Sequence, residues 1–142
     1  MYKIVEKRIL APSIFLMDIE APRVAQSAEP GQFIILIADE KGERIPLTIC
    51  DYDREKGLVT IVIQTIGNST RELFDYEAGD YFHDFVGPLG NPSDFIHENI
   101  DELKKKNILF VAGGLGTAPV YPQVKWLHEN GVNVDVIIGV KI

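Results

Sequence analysis

Short runs in which apolar and polar residues alternate fill residues 1–92. In order they read YKIVEKRIL, IFLMDIEA, GQFIILIAD, RIPLTICDY, GLVTIVIQTI and DYFHDFVGPLG, with turn residues such as Pro30-Gly31 and Lys56-Gly57 between them. Alternation with a period of two is typical of strands that bury one face. The pattern therefore predicts six strands in a small antiparallel β barrel or sandwich.

One helix is predicted between the fifth and sixth strands. It begins near Asn68-Ser69-Thr70 and continues through RELFDYE. Serine and threonine are favoured at helix starts, because their side chains satisfy free backbone amides there, and the helix dipole favours an anion at the same end. The segment is therefore a candidate anion site. The alternative is a capped helix with no ligand.

From about residue 100 the pattern changes. NILFVAGG reads as a buried strand, APVYPQVKWLHENG as a helix that ends at Asn130-Gly131, and VNVDVIIGV as a second buried strand. Together they predict a parallel βαβ unit. A single βαβ unit cannot cover both faces of its sheet, so we expect an incomplete α/β domain that further chain or a partner completes.

The turn after the first of these strands contains three glycines, Gly113, Gly114 and Gly116, followed by Thr117. A strand that ends in such a turn and leads into a helix presents backbone amides at the positive end of the helix dipole, with no Cβ to obstruct a ligand. The arrangement suits the pyrophosphate or nicotinamide of a dinucleotide. The alternative is a tight turn in which Pro119 opens the helix.

Composition excludes several classes of function. The net charge of −7 argues against a nucleic-acid partner, and no apolar run approaches the length of a membrane span. The N-terminus lacks the features of a secretory signal, which predicts a cytoplasmic protein with no membrane partner. Lys104-Lys105-Lys106 reads as a solvated helix end.

Side chains that commonly bind metals are few and scattered. Cys50 is the only cysteine, so this sequence offers neither an internal disulfide nor a cysteine cluster. The three histidines share no metal-ligand spacing, and we expect surface or structural roles for His83, His97 and His128. The sequence therefore predicts no metal site and no catalytic acid or base.

Four motifs occur in a fixed order along the chain: ERIPLTICD, QTIGNSTREL, GPLGNP and AGGLGTAP. In this order and spacing the sequence resembles the ferredoxin-reductase superfamily over its whole length. Within that superfamily it most resembles two groups of proteins. These are the electron-transfer subunits of dihydroorotate dehydrogenase and the small subunit of NADH-dependent ferredoxin:NADP oxidoreductase, also called sulfide dehydrogenase.

The resemblance implies a six-stranded FAD-binding barrel over residues 1–98 and the first βαβ of an NAD(P)-binding α/β domain over 99–142. It places Arg44 near the FAD phosphates and Thr48 within hydrogen-bonding distance of flavin N5. Family members carry Arg-x-Tyr-Ser/Thr here. Leu47 stands in place of the aromatic residue of that pattern, which removes ring stacking from this strand.

The resemblance also assigns a ligand to the turn at the predicted helix start, where Gly67, Ser69 and Thr70 would receive the FAD pyrophosphate. The family has a glycine where this chain has Ser69. The preceding strand is expected to face the ribityl chain and the flavin edge with Ile63, Gln64 and Thr65. Gly87-Pro88-Leu89-Gly90 is expected to be mostly structural.

Three further side chains, Cys50, Tyr121 and Trp126, have both a functional and a packing interpretation. Cys50 has the same strand parity as Thr48 and so points to the same face, where it can approach the flavin or be a buried, inert thiol. Tyr121 and Trp126 on the second helix are predicted to belong to the core rather than to stack on a cofactor.

The function implied is that of an oxidoreductase subunit. NAD(P)H would reduce FAD, and electrons would pass to an iron-sulfur centre in a larger redox subunit. The cysteines of a [2Fe-2S] centre are expected only after the nucleotide domain, and residues 1–142 alone are expected to be weakly active. The alternative is a non-catalytic docking subunit whose flavin site is degenerate and empty.

Overall fold

The computed structural model describes residues 1–141. Its N-terminal part contains eight strands: β1 (Tyr2–Ala11), β2 (Ile14–Glu20), β3 (Phe33–Ile37), β4 (Arg44–Thr48), β5 (Asp51–Asp53), β6 (Leu58–Gln64), β7 (Tyr81–Phe82) and β8 (Asp84–Leu89). Two short helices lie among them, α1 (Pro22–Ser27) and α2 (Asn68–Phe74). Helix α2 is the predicted helix, whereas α1 was not predicted.

The strands form two antiparallel sheets that share one core. One sheet has the order β5-β6-β2-β1-β7 and the other the order β4-β3-β8. In β2, β3 and β6 alternating residues point inward, as the sequence pattern predicts. In β2 these are Phe15, Met17 and Ile19, and they meet Ile34 and Leu36 from β3 in one buried cluster. The packing of two antiparallel sheets around one core fits the predicted all-β first domain, while closure into a six-stranded barrel stays a prediction.

Two of the six predicted strands are each divided in two, because the chain changes sheets within them. Strand β4 pairs with β3, but after it the Cys50 amide donates to the Thr60 carbonyl of β6 at 2.9 Å. From there the chain pairs with β6 as strand β5. Between β7 and β8 the His83 amide donates to the Ala38 carbonyl at 3.0 Å. There the chain leaves β1 and joins β3. Eight strands therefore stand where six were predicted.

The C-terminal part contains α3 (Ile100–Lys104), β9 (Leu109–Gly113), α4 (Thr117–Glu129) and β10 (Asp135–Gly139). Strands β9 and β10 pair in parallel, which confirms the predicted βαβ unit. Helix α4 ends at Glu129 with Asn130 as its capping residue, and Gly131 follows with a φ of +77°. The lysine run lies at the end of α3, as predicted, with Lys105 as the capping residue.

The prediction that both parallel strands are buried is wrong for the residues described. A second core around Leu103, Leu127 and Val132 covers one face of β9. On the other face Val111 is 68% exposed, and every residue of β10 is exposed. Helices pack on only one side of this two-stranded sheet, so its other side stays open to solvent.

Several contacts join the two parts, and three of them involve α4. The Lys125 ammonium of α4 lies 2.7 Å from the Asp51 carboxylate of β5. The Ser93 hydroxyl donates to the Gln123 side-chain oxygen at 3.2 Å, and the ring of Phe95 lies 5.4 Å from that of Trp126. Helix α4 is therefore held over the outer face of the five-stranded sheet. Within residues 1–141, no helix has both the length and the apolar character needed to cross a bilayer.

Candidate functional site

A cavity of about 640 Å³ opens between the outer face of the five-stranded sheet and the start of α4. This volume falls in the range of roughly 300–1,000 Å³ that is typical of small-molecule sites. The sheet side is lined by Ile14, Leu16, Cys50, Val62 and Gln64. The opposite side is lined by Gly114, Leu115, Thr117, Ala118 and Tyr121. The fold therefore brings the end of β6 and the glycine turn, 50 residues apart, to one site.

The strand β4, in the three-stranded sheet, exposes one face and contributes no residue to the lining of this cavity. Arg44 and Thr48 are exposed, whereas Leu47 packs against the main core. Because side chains alternate along a strand, Leu47 does not share the face of Arg44 and Thr48. Leu47, predicted to be a cofactor-binding residue, thus packs against the core and does not share the exposed face of β4. Cys50 continues the parity of Thr48 and reaches the cavity wall, as its position along the chain indicates.

Three consecutive residues at the end of β6 and just after it, Ile63, Gln64 and Thr65, have different surroundings. Ile63 is 1% exposed and lies in the main core, so its side chain does not face a ligand, contrary to expectation. Gln64 lines the cavity. Thr65 turns to the β1–β2 connection, where both its amide and its hydroxyl donate to the Ser13 carbonyl, at 2.9 and 3.3 Å. The alternation of side chains along a strand is enough to place Ile63 and Gln64 on opposite faces.

The turn before α2 is organised by Thr70. Its hydroxyl oxygen accepts from the amides of Ile66 and Gly67, at 3.0 and 3.1 Å. The Ser69 hydroxyl donates to the Glu43 carboxylate, which ties the turn to the start of β4. Gly67 has an extended φ of −156°, and a Cβ there would meet no atom within 4 Å. The turn thus leaves space around Gly67 that the chain itself does not fill.

Backbone conformation explains one of the three glycines of the second turn but not the other two. Gly114 has a φ of +54°, a conformation that favours glycine. Gly113 and Gly116 have ordinary negative φ values, and a Cβ on either would meet no atom within 4 Å. By contrast, a Cβ on Gly87 would lie 2.6 Å from Ile34, so packing explains that glycine, as expected for a structural position. Packing within the described chain does not explain Gly113 and Gly116.

The Cys50 thiol is held in its neutral form. Burial, together with the charges of Asp51 and Asp18, raises its pKa to about 11. A thiol with this pKa is almost entirely protonated at neutral pH and is a poor nucleophile. Cys50 therefore contributes a weakly polar, unreactive surface to the cavity wall.

Two aromatic residues of α4 have different surroundings. Trp126 packs in the second core against Phe95, as predicted. Tyr121 does not belong to a core: it is 47% exposed and lines the cavity. The spacing of α4 could not reveal this, because a helix face that meets a cavity has the same period as one that meets a core. A functional candidate was missed here.

The walls are mainly apolar. Their polar groups come from the side chains of Gln64, Thr117, Tyr121, Cys50 and Lys141 and from the backbone of the glycine turn. Such a site suits a flat ring with polar edges. The three histidines are exposed, in agreement with surface roles. Among residues 1–141, no three potential metal ligands cluster.

Comparison with known proteins gives relatives along nearly the whole chain. No family model matches. A Clostridium beijerinckii protein described as an uncharacterized protein in the adh 3′ region is 70% identical over 98% of this chain and 47% of its own length. The Thermotoga maritima homologue of the dihydroorotate dehydrogenase B (NAD(+)) electron transfer subunit is 42% identical, with the same coverage. The chain thus spans about half the length of these relatives.

Solved structures agree with these relatives. A structure of the NADH-dependent reduced ferredoxin-NADP oxidoreductase, described in terms of flavin-based electron bifurcation, superposes with a TM-score of 0.89 at 40% identity. The superposition covers 99% of this chain and 49% of the chain in that structure. Phthalate dioxygenase reductase shares the fold at 21% identity, with a TM-score of 0.79.

These comparisons confirm the resemblance drawn from the four motifs: the chain has a ferredoxin-reductase-like fold. More particularly, it is a homologue of the proteins named as dihydroorotate dehydrogenase B electron transfer subunits.

Proposed function

We propose that this protein is an FAD-binding electron-transfer subunit that takes reducing equivalents from NAD(P)H and passes them to an iron-sulfur centre or a partner subunit. The observation that carries the proposal is the cavity that joins Gln64 of β6 to Gly114 and Thr117 of the glycine turn. The relative described in terms of flavin-based electron bifurcation, at 40% identity, supports the same assignment.

In this proposal residues 1–98 form the FAD-binding domain and residues 99–142 begin the NAD(P)-binding domain. Thr48 offers its hydroxyl to the flavin edge from the exposed face of β4, and Arg44 on the same face is near the phosphates. Gln64 meets the polar edge of the ring. Ile63 and Leu47 support these strands from the core, and Thr65 fixes the adjoining turn.

The turn of Gly67, Ser69 and Thr70 receives the pyrophosphate. The first amides of a helix have no partner within the helix, and they point out from its positive end. The Thr70 hydroxyl is already hydrogen-bonded to backbone amides within the turn. The backbone, and not this side chain, would therefore contact the anion.

Gly113, Gly114, Gly116 and Thr117 receive the incoming dinucleotide. They lie at the carboxyl end of β9, the edge of a parallel sheet at which ligands of α/β domains bind. Open space at the Cβ positions of Gly113 and Gly116 allows a ligand to approach the backbone closely. Thr117, at the first position of α4, adds a hydroxyl at the helix start.

The flavin, when bound, supplies the exchange between two-electron and one-electron transfer. The residues of this chain bind it, orient it and exclude water from its ring. The apolar walls of Leu16 and Val62 serve the last of these tasks. A [2Fe-2S] centre and a larger redox subunit complete the proposal. The cysteines for such a centre lie outside this sequence, whose only cysteine is Cys50.

The Gly116→Val variant tests the proposal. The full-length variant should keep its FAD, because that site lies on the β-sheets, and should be reduced by dithionite as the wild type is. Its reduction by NAD(P)H should be lost, because the added side chain occupies the space of the dinucleotide. Gly116→Ala serves as the matched control with a smaller loss. Unchanged reduction by NAD(P)H in Gly116→Val would show that the turn is only structural.

A second function has one observation in its favour. The Glu43 carboxylate binds Ser69 at the turn proposed for the pyrophosphate, where a negative charge opposes an anion. A docking subunit with an empty flavin site fits this contact. Its purified form would be colourless and would bind no added FAD.

A further inference from the structure

Tyr121 is the one aromatic side chain that lines the cavity between the sheet and α4, among the residues described. It also lines an adjoining cavity of about 340 Å³, together with Leu16 and Cys50. Its ring thus stands where the two spaces meet, 47% exposed, although a tyrosine ring gains from packing against an apolar or aromatic surface.

Tyr121 lies on the face of α4 that is directed towards the sheet. Thr117, Tyr121 and Lys125 are spaced by four residues and therefore share one face of the helix. At one end of this face lies the glycine turn. At the other end the Lys125 ammonium lies 2.7 Å from the Asp51 carboxylate of the sheet. The backbone of Tyr121 between them therefore lies over the sheet.

The strand β4 offers no aromatic ring to a ligand on its exposed face. Arg44, Pro46 and Thr48 form that face, while Leu47 packs in the core. A flat ring seated in the cavity therefore finds its aromatic neighbour on α4 and not on β4.

We propose that Tyr121 packs against the isoalloxazine ring of the bound flavin and supplies from α4 the aromatic contact that β4 lacks. The inference rests on the proposed function. Because Tyr121 belongs to the C-terminal βαβ unit, this contact joins that unit to the cofactor held by the sheets. Tyr121 is then a positioning residue, which sets how the flavin lies relative to Gly114 and Thr117.

The test compares Tyr121→Leu, Tyr121→Phe and Tyr121→Trp in the full-length protein isolated with its cofactor. Tyr81→Leu is the matched control, since Tyr81 is 48% exposed on β7 and lies outside the cavity. Two quantities are measured: the fluorescence yield of the bound flavin, and the Kd of FAD from titration of the apo-protein. An electron-rich ring in contact with a flavin quenches its emission.

The Tyr121→Leu variant should raise the fluorescence yield of the bound flavin and raise the Kd of FAD by roughly 2- to 12-fold, which corresponds to the loss of one aromatic contact. The Phe variant should restore the Kd but not the full quenching, the Trp variant should restore quenching, and Tyr81→Leu should change neither quantity.

Wild-type values of both quantities in flavin-loaded Tyr121→Leu would overturn the inference and leave the proposed function intact. A variant that changes only the Kd of NAD(P)H would also overturn it, because the ring would then belong to the nicotinamide site. A wild-type protein that binds no FAD would overturn both.

Discussion

Asn68, the first residue of α2, is exposed beside the turn proposed for the FAD pyrophosphate. We predict that Asn68→Asp weakens FAD retention, because its carboxylate repels the pyrophosphate. The same substitution should leave the apo-protein as stable or stabilise it by about 0.3–1 kcal/mol, because a negative charge suits a helix start. The measurements are flavin content after dialysis and thermal unfolding of the apo-protein.

Asn68→Lys is the matched control, and it should change both quantities in the opposite direction. It should retain FAD more tightly, and its apo-protein should be slightly less stable. The opposite movement of ligand binding and stability separates a charge effect from local unfolding. If the Asp and Lys variants retained the same amount of FAD, the pyrophosphate would not lie at this turn.

Cys50 provides a second prediction at this scale. Its pKa of about 11, against an ordinary value of 9.0, leaves about 100-fold less thiolate at pH 8. Iodoacetamide should therefore modify the native protein far more slowly than the denatured protein, as followed by mass spectrometry. FAD should slow the reaction further, because Cys50 lines the cavity. A native rate equal to the denatured rate would contradict both the burial and the pKa.

The same shift has a consequence for stability. The folded state raises the pKa of Cys50 and so favours its neutral form. The unfolded state releases the proton at lower pH, so this group's contribution to stability is lost as the pH rises from about 9 to about 11.

Strand periodicity predicted inward-facing residues well. Phe15, Met17 and Ile19 are buried at every second position. The same rule would have excluded the side chain of Ile63 as a ligand contact, because its neighbour Gln64 faces the cavity. Tyr121 is different in kind. Its exposure depends on what lies opposite α4, and neither period nor spacing contains that information.

At the scale of elements, the placement of α4 depends on the Lys125–Asp51 ion pair, whose side chains are 34% and 31% exposed. Burial lowers the pKa of Lys125, but the Asp51 carboxylate, as a hydrogen-bond partner and as a charge, raises it above its ordinary value overall. The stabilisation is therefore present at neutral pH and is lost as the pH rises beyond the ordinary lysine value of 10.5.

We predict a coupling energy of about 0.5–1 kcal/mol between Lys125→Met and Asp51→Asn at pH 7, measured by urea unfolding in a double-mutant cycle. The coupling energy should fall at pH 11.5, because Lys125 loses its charge at high pH. The titration of other groups affects all four proteins of the cycle alike and therefore cancels. The Lys105–Glu102 pair, 72% and 65% exposed, is the control and should couple more weakly. Equal coupling in the two pairs would show that Lys125 does not anchor α4.

The breaks in the predicted strands also belong to this scale. RIPLTICDY reads as one strand, yet β4 ends at Thr48 and β5 begins at Asp51. The division follows from a hydrogen bond between Cys50 and Thr60, which the sequence pattern cannot specify because it depends on the arrangement of the two sheets. The βαβ unit was predictable, since its glycine turn and its Asn130-Gly131 ending are local signals.

For the whole molecule, the two parts differ in how completely the described residues bury them. The two antiparallel sheets enclose a continuous core, whereas β9 and β10 expose apolar side chains such as Val111 and Ile137. The chain spans about half the length of the relatives it matches. The sheets should therefore hold the flavin by themselves, and reduction by NAD(P)H should need the full-length protein.

The flavin content of the purified protein tests the central claim most directly. We predict stoichiometric FAD that survives gel filtration, gives the protein a yellow colour and returns when the apo-protein is mixed with FAD. The cofactor should be bound by residues 1–142 as well as by the full-length protein, because the proposed contacts to its ring and pyrophosphate lie within them. A folded protein that stays colourless and binds no added FAD in either form would contradict the account and leave the docking subunit as the function.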